Sequence, residues 1–196
     1  LRSLVGSEMC IRDRSITSGV SDGNTVLIQA FYQTVPWLTV TMLGFLKSAE
    51  MIGRGLGGIF QYKKEIPVKK RYAFTKFVYT VYGLMDILLL YLPYPLMLCN
   101  RFLCGALGIS SATIRETAVQ SYLPENMRAR INAFFNMVFA IGSVAFQMAA
   151  GALGQIMSYR LAILLLATIE LTAMFLLICL PAKENRPVYE AVRNAE

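Results

Sequence analysis

Three charged side chains within one apolar stretch have the spacing of a possible chemical site. Lys47, Glu50 and Arg54 lie at i, i+3 and i+7 in LTVTMLGFLKSAEMIGRGLGGIF, so a helix places them on one face. Ionisable groups at membrane depth are costly, and they face a protein interior or a wet cavity. The spacing predicts one charged wall of a substrate or proton pathway. The alternative is an ion ladder that neutralises itself and only holds helices together.

Three further charged residues interrupt apolar runs. Asp86 lies in GLMDILLLYL, Arg101 in CNRFLCGALG and Glu170 in ATIELTAMF. Each would cost about 2.5–3.5 kcal/mol if it faced lipid unpaired. Pairing of Asp86 with Arg101 across neighbouring helices would offset that cost, and a pathway role and a structural role are equal alternatives for this pair. Glu170 belongs to the last apolar run and is the weaker pathway candidate.

The absence of histidine limits the chemistry of the chain. Without imidazole there are no Ser–His or Cys–His nucleophile pairs, no imidazole metal sites and no histidine proton relay. The four cysteines are too few for a disulfide framework. We therefore predict no enzyme, no cofactor and no metal site. Carboxylates are left as the proton carriers near neutral pH.

Composition indicates the elements that must position these side chains. Of 196 residues, 56% are hydrophobic and 16% charged, with a net charge of +7, whereas about a quarter of an ordinary soluble domain is charged. This favours a polytopic all-α membrane bundle with basic loops over a nucleic-acid binder. Five stretches are long and apolar enough to span, at residues 38–60, 74–92, 96–119, 131–156 and 161–180. Residues 15–37 are predicted to be a polar extracytoplasmic loop, and 181–196 a cytoplasmic tail.

The distribution of lysine and arginine predicts the orientation. Thirteen of these residues fall on one predicted side and only Arg160 on the other. The thirteen are Arg54, Lys63, Lys64, Lys69, Lys70, Arg71, Lys76, Arg115, Arg128, Arg130, Lys183, Arg186 and Arg193. We expect a multi-pass protein of the cytoplasmic membrane with its C-terminus in the cytoplasm. The basic run Lys63–Arg71 is more simply a topology signal than a site for anionic lipid.

Small residues predict where helices approach closely. Gly53, Gly57 and Gly58 supply a small-xxx-small spacing in the first stretch. The fourth stretch is rich in small residues, among them Gly142 and Gly151. We predict that these glycines are helix-packing positions.

The first fourteen residues have no helical period and no continuity with the polar segment after them. The segment LVGSEMCIRDR at 4–14 resembles a translated sequencing adapter, so residues 1–14 are expected to be an artefact. The true chain would then extend upstream by an unknown length. The alternative is a small complete membrane subunit, such as the substrate-capture component of a vitamin importer.

Two links between the apolar stretches resemble loops of the major facilitator superfamily. In SYLPENMRARINAFFN, Pro124 and Glu125 precede the pair Arg128 and Arg130 and a small-residue-rich helix. The segment GLGGIFQYKKEIPVKKRY is similar to the superfamily's basic loop between spans eight and nine, although no acidic residue occupies the usual position near Gln61. The resemblance runs from about residue 36 to the C-terminus, as the last five of twelve spans. It is nearest to bacterial exporters of the drug and siderophore type.

The resemblance implies a twelve-span secondary transporter whose two halves rock around a midplane site. It implies that Glu125, Arg128 and Arg130 form a cytoplasmic gate loop. The implied partners are the lipid bilayer, a small-molecule substrate, protons and a missing N-terminal half of the same chain, with no nucleic acid. Proton-coupled efflux is the expected activity.

Overall fold

The computed structural model describes residues 19–64, 66–122 and 128–180, and these residues form six helices without a β-strand. The helices are α1 (19–34), α2 (Val40–Lys63), α3 (Val68–Leu89), α4 (Tyr94–Tyr122), α5 (Arg128–Ile156) and α6 (Tyr159–Met174). A π-helical turn, Phe175–Cys179, continues α6. The predicted all-α class is confirmed.

Helices α2–α6 lie where the sequence predicts its five apolar spans. Within them, the stretches Tyr94–Thr117 and Ala129–Ile156 combine the length and the apolarity needed to cross a membrane. Helix α4 has 29 residues, which at 1.5 Å per residue is about 43 Å and exceeds a hydrocarbon core of about 30 Å. Helix α4 is therefore longer than the hydrocarbon core, and it begins two residues before the predicted span and ends three residues after it.

Residues 19–34 are helical, whereas the sequence predicts a polar loop across 15–37. The helix has a period that the polar residues obscure, because Val20, Leu27, Ile28 and Phe31 recur on one face and are buried. The polar run SDGN at 21–24 resembles a loop only when it is considered alone. In the folded chain Asp22 and Asn24 form hydrogen bonds with side chains of other helices, so these two residues do not need a loop to be hydrated.

Glycines bring the backbones of α2 and α4 into contact. A Cβ on Gly53 would overlap a carbonyl oxygen of α4, and one on Gly57 would lie 2.6 Å from the Ala106 carbonyl oxygen. From the other side, a Cβ on Gly105 would overlap the carbonyl oxygen of Glu50. Small residues thus hold the charged face of α2 at a fixed distance from α4.

The other predicted packing glycines divide into two groups. The backbone of Gly142 contacts α1, since a Cβ on Gly19 would lie 3.2 Å from the Gly142 carbonyl oxygen. Gly58 and Gly151 have no described atom within 4 Å of where a Cβ would be, so they do not pack closely against a described helix. Each lies one residue, about 100° of helix rotation, after a residue that is buried.

Two apolar clusters lie toward opposite ends of the helices. The larger contains Leu46 of α2, Leu89 of α3, Met97 of α4 and Leu166 of α6, together with much of α1. The smaller includes Tyr72, Ile114 and Met174 at the other ends of α3, α4 and α6. The buried charged residues of the described helices are Glu50, Asp86, Arg101 and Glu170. Along α3, α4 and α6 these residues fall between the two clusters, where they point to a candidate site.

Candidate functional site

A cavity of about 340 Å³ occupies the middle of the bundle, and every one of the six helices contributes to its wall. We call it the central cavity. Its ionisable and aromatic lining residues are Asp22 (α1), Arg54 (α2), Tyr79 and Tyr82 (α3), Arg115 and Glu116 (α4), Phe139 (α5) and Glu170 (α6). The wall therefore offers three carboxylates, two guanidinium groups and aromatic surface to a molecule inside it.

The predicted charged face of α2 is present beside this cavity. Arg54 Nη2 donates a 2.7 Å hydrogen bond to Glu50 Oε1, and Lys47 Nζ lies 3.7 Å from Glu50 Oε2. The Glu50 side chain is 8% exposed, while those of Lys47 and Arg54 are 39% and 47% exposed. Arg54 lines the central cavity, whereas Glu50 does not line it and contacts it only through Arg54. The common face is confirmed, and its pathway role stays a prediction.

The predicted pairing of Asp86 with Arg101 is confirmed, and it joins α3 to α4. Arg101 Nη2 donates to Asp86 Oδ1 at 2.7 Å, and Asn24 Nδ2 of α1 donates to Asp86 Oδ2 at 2.8 Å. The Asp86 side chain is 1% exposed and that of Arg101 is 8% exposed. Neither residue lines the central cavity. Asn24, which the sequence prediction omits, makes this a three-helix contact.

Arg115 lies inside α4, within the predicted span 96–119, although the orientation analysis counts it among the charges of the cytoplasmic side. Its Nη1 donates a hydrogen bond to the Tyr79 hydroxyl, and both residues line the central cavity. The orientation analysis treats a basic residue near the end of an apolar run as a topology charge, and it does not consider a partner on another helix. The usable signal was the spacing of Gly108, Ser111 and Ala112 with Arg115, at i, i+3, i+4 and i+7 on one polar, small-residue face.

Asp22 is a second site residue that the sequence prediction omits. Ser143 Oγ of α5 donates to Asp22 Oδ2 at 2.5 Å, and Gln147 Nε2 donates to Ser143 Oγ at 3.0 Å. This chain of hydrogen bonds links the cavity wall of α1 to α5. The apolar period of α1 was the signal that would have placed Asp22 on a helix.

One hydroxyl in the central cavity is left for a ligand. Ser111 is 4% exposed and lines the cavity, and its Oγ has no hydrogen-bond partner among the described residues. A buried polar group without a partner costs about 1–3 kcal/mol. Water or a bound molecule that hydrogen-bonds to Ser111 would remove that cost.

The remaining predicted residues have different positions. Glu170 is 3% exposed and lines the central cavity, so it lies with Arg54 although the sequence ranks it lowest. Glu125 lies outside the described residues, as does the side chain of Arg128, with which α5 begins. Arg130 is exposed on the first turn of α5. The gate loop stays a prediction.

The chain matches the family model of the Major Facilitator Superfamily over residues 70–195. It belongs to this superfamily. No curated protein and no solved structure matches the chain. The superfamily consists of membrane transporters that act on small molecules in a lipid bilayer and are not enzymes. The matched region supplies the cavity residues of α3–α6, while α1 and α2 add Asp22 and Arg54.

The central cavity of this superfamily member offers ion pairing, hydrogen bonding and aromatic contact. Among the described residues, no three Cys, Asp or Glu side chains are grouped as metal ligands would be. The charged, hydroxyl and aromatic groups of the cavity wall can bind a polar small molecule.

Proposed function

We propose that this protein exports a small molecule by alternating access and that the central cavity is its substrate site. The observation that carries the proposal is the composition of the cavity wall, in which all six helices place charged, polar or aromatic groups around about 340 Å³. Substrate sites of secondary transporters lie between helices near the bilayer midplane. Helices that each contribute to one wall can change its shape when they rock.

The wall favours a substrate that carries polar and aromatic groups. Asp22, Glu116 and Glu170 would bind cationic groups, and Arg54 would bind an anionic one. Tyr82 offers an aromatic surface, on which both aromatic rings and cations bind favourably. The mixture supports a zwitterionic or amphipathic cation as the substrate class.

We propose that Glu50 couples transport to protons. Glu50 is a buried carboxylate whose strongest contact is Arg54, and Arg54 lines the central cavity. Protonation of Glu50 would remove the charge that holds Arg54 and would release its guanidinium toward the cavity. Protonation of Glu50 and binding of substrate in the cavity would then both change the contacts of Arg54. Exchange of a proton for a substrate requires such a shared residue.

We further propose a multi-pass protein of the cytoplasmic membrane with a cytoplasmic C-terminus. The excess of lysine and arginine from Lys63 to Arg71, where α2 ends and α3 begins, supports that orientation. The resemblance to the last five of twelve spans supports an N-terminal half that completes the transporter. Such a half would cover exposed apolar residues of α2 and α5, among them Met51, Met137, Ile141 and Met148.

The test is export of a panel of cationic and zwitterionic dyes from cells that express the full-length gene. Collapse of the proton gradient by a protonophore should stop export, and Glu50→Gln should do so without the protonophore. Arg160→Gln, which removes an exposed charge away from the cavity, is the matched control. Export that persists after collapse of the gradient would refute proton coupling.

A further inference from the structure

A second cavity, of about 320 Å³, lies where α2 ends, α3 begins and the second half of α4 passes both. We call it the end cavity. Its polar lining residues are Gln61 and Tyr62 of α2, Arg71 of α3, and Thr113 and Thr117 of α4. It shares no lining residue with the central cavity, so the proposed transport does not account for it.

The charge around the end cavity is positive. Arg71 is its one ionisable lining residue apart from the phenol of Tyr62, and none of the lining residues is acidic. Lys63 at the end of α2, Lys64 just after it and Lys69 in the first turn of α3 are exposed. Such a cluster next to a membrane-spanning helix attracts anionic lipid.

Gln61 adds a requirement that charge alone does not. Its Nε2 donates to the Ser110 carbonyl oxygen at 3.4 Å, while its Oε1 is buried with no hydrogen-bond partner among the described residues. Buried acceptors are nearly always paired with a donor from protein, water or ligand. A ligand that fits the end cavity therefore brings both an anionic group for Arg71 and a donor for Gln61.

The surroundings of the end cavity also offer a path for acyl chains. Leu56, Ile59 and Phe60 are large, apolar and exposed on the preceding turns of α2. Tyr62, which is 90% exposed, lines the cavity with the amphipathic ring that is common at membrane interfaces. Gly58 keeps the cavity open, since no described atom lies within 4 Å of where its Cβ would be.

We propose that the end cavity binds the headgroup of an anionic phospholipid that carries a hydroxyl donor, of the phosphatidylglycerol type. The phosphate pairs with Arg71, a glycerol hydroxyl donates to Gln61 Oε1, and the acyl chains lie along the exposed apolar face of α2. This assignment makes the basic run Lys63–Arg71 part of a specific lipid site and not only a signal for topology.

The decisive experiment compares a change of shape with a change of charge in the full-length protein. Gly58→Leu fills the end cavity without altering charge, Arg71→Gln removes the lining cation, and Lys69→Gln removes an exposed cation that does not line the cavity. Phosphatidylglycerol bound to each purified variant in mixed phosphatidylglycerol–phosphatidylcholine nanodiscs is counted by native mass spectrometry. Equal thermal unfolding temperatures show that the variants are folded.

We expect Gly58→Leu and Arg71→Gln each to weaken binding more than about tenfold, because one excludes the headgroup and the other removes a charge-assisted hydrogen bond. Lys69→Gln should weaken binding by no more than about fivefold, which is the contribution of one surface cation. Wild-type binding by Gly58→Leu would overturn the proposal, as would equal losses for Arg71→Gln and Lys69→Gln. Soluble glycerol phosphate that binds as tightly as the lipid would replace the lipid assignment with a free anion.

Discussion

Two carboxylate–arginine contacts in this transporter have the same length and different surroundings. Asp86–Arg101 and Glu50–Arg54 are both 2.7 Å apart. The first joins α3 to α4, and both of its side chains are buried. Asn24 of α1 also donates a hydrogen bond to Asp86. The second lies within one helix, and its arginine is half exposed at the central cavity. The distance between the charged atoms does not distinguish a structural pair from a movable one, whereas the exposure of the cation does.

The difference has an energetic meaning. Removal of one partner from a buried pair leaves an uncompensated charge, which is strongly destabilising. Removal of an exposed partner leaves a charge that water can reach, and exposed pairs contribute little. We therefore assign Asp86–Arg101 to holding α1, α3 and α4 together. We propose that Glu50–Arg54 is the contact that exchanges during transport.

The largest effect is expected at the buried pair. Arg101→Met should destabilise the protein by about 3–5 kcal/mol, because it would leave the buried carboxyl of Asp86 without its charge partner. Denaturant unfolding of the purified protein in detergent, followed by circular dichroism, measures this loss. Arg130→Met, at an exposed position on α5, is the control and should change stability little.

A double variant sharpens that expectation. Asp86→Asn combined with Arg101→Met removes both charges, so it should be more stable than Arg101→Met alone. If the double variant is as unstable as the single one, side-chain packing and not the unpaired charge explains the loss, and the contrast between the two contacts fails.

The next effect concerns the scaffold that holds Glu50. Gly53→Ala places a Cβ against a carbonyl oxygen of α4, whereas Gly58→Ala meets open space. Overpacking should destabilise Gly53→Ala by about 1–3 kcal/mol, and Gly58→Ala should gain up to about 1 kcal/mol of helix propensity. Unfolding measurements on the two variants side by side test this. Equal stability would mean that the contact of α2 with α4 is not tight enough to fix the charged face.

Glu50→Gln should separate function from stability. Arg54 is 47% exposed and can be hydrated when its partner becomes neutral, so the loss of stability should be about 1 kcal/mol or less. Proton-coupled export should nevertheless be lost or uncoupled. Parallel unfolding and dye-export assays provide the measurement. Normal coupled export would assign Glu50 to the same structural category as Asp86.

The predictable parts of this molecule are those in which a local pattern has one physical solution. The cost of an unpaired charge in an apolar run predicts Asp86–Arg101, and the 3.6-residue period predicts the charged face of α2. Long apolar runs predict α2–α6. Each of these inferences needs only neighbouring residues or the hydrocarbon environment.

The parts that sequence reasoning misses depend on partners from distant helices. In the sequence, Asp22 and Asn24 resemble loop residues. In the fold, Ser143 donates a hydrogen bond to Asp22, and Asn24 donates one to Asp86. In the sequence, Arg115 resembles a topology charge. In the fold, it donates a hydrogen bond to the Tyr79 hydroxyl within the bundle. Polar residues that face one another across helices carry no local signal of burial, so only a helical period in the surrounding apolar residues could have revealed them.

The smallest effect is expected at Lys47, which tests how little the outer part of the α2 contact contributes. Its Nζ is 3.7 Å from Glu50 Oε2, and its side chain is 39% exposed. Lys47→Gln should therefore reduce stability by less than about 0.5 kcal/mol at 0.1 M salt, with the difference vanishing near 1 M, where the screening length falls to about 3 Å. Denaturant unfolding at the two salt concentrations, with Arg101→Met as the salt-insensitive comparison, measures this. A loss that persists at high salt would show that Lys47 is held as firmly as the buried pair, and the ladder on α2 would then be structural along its whole length.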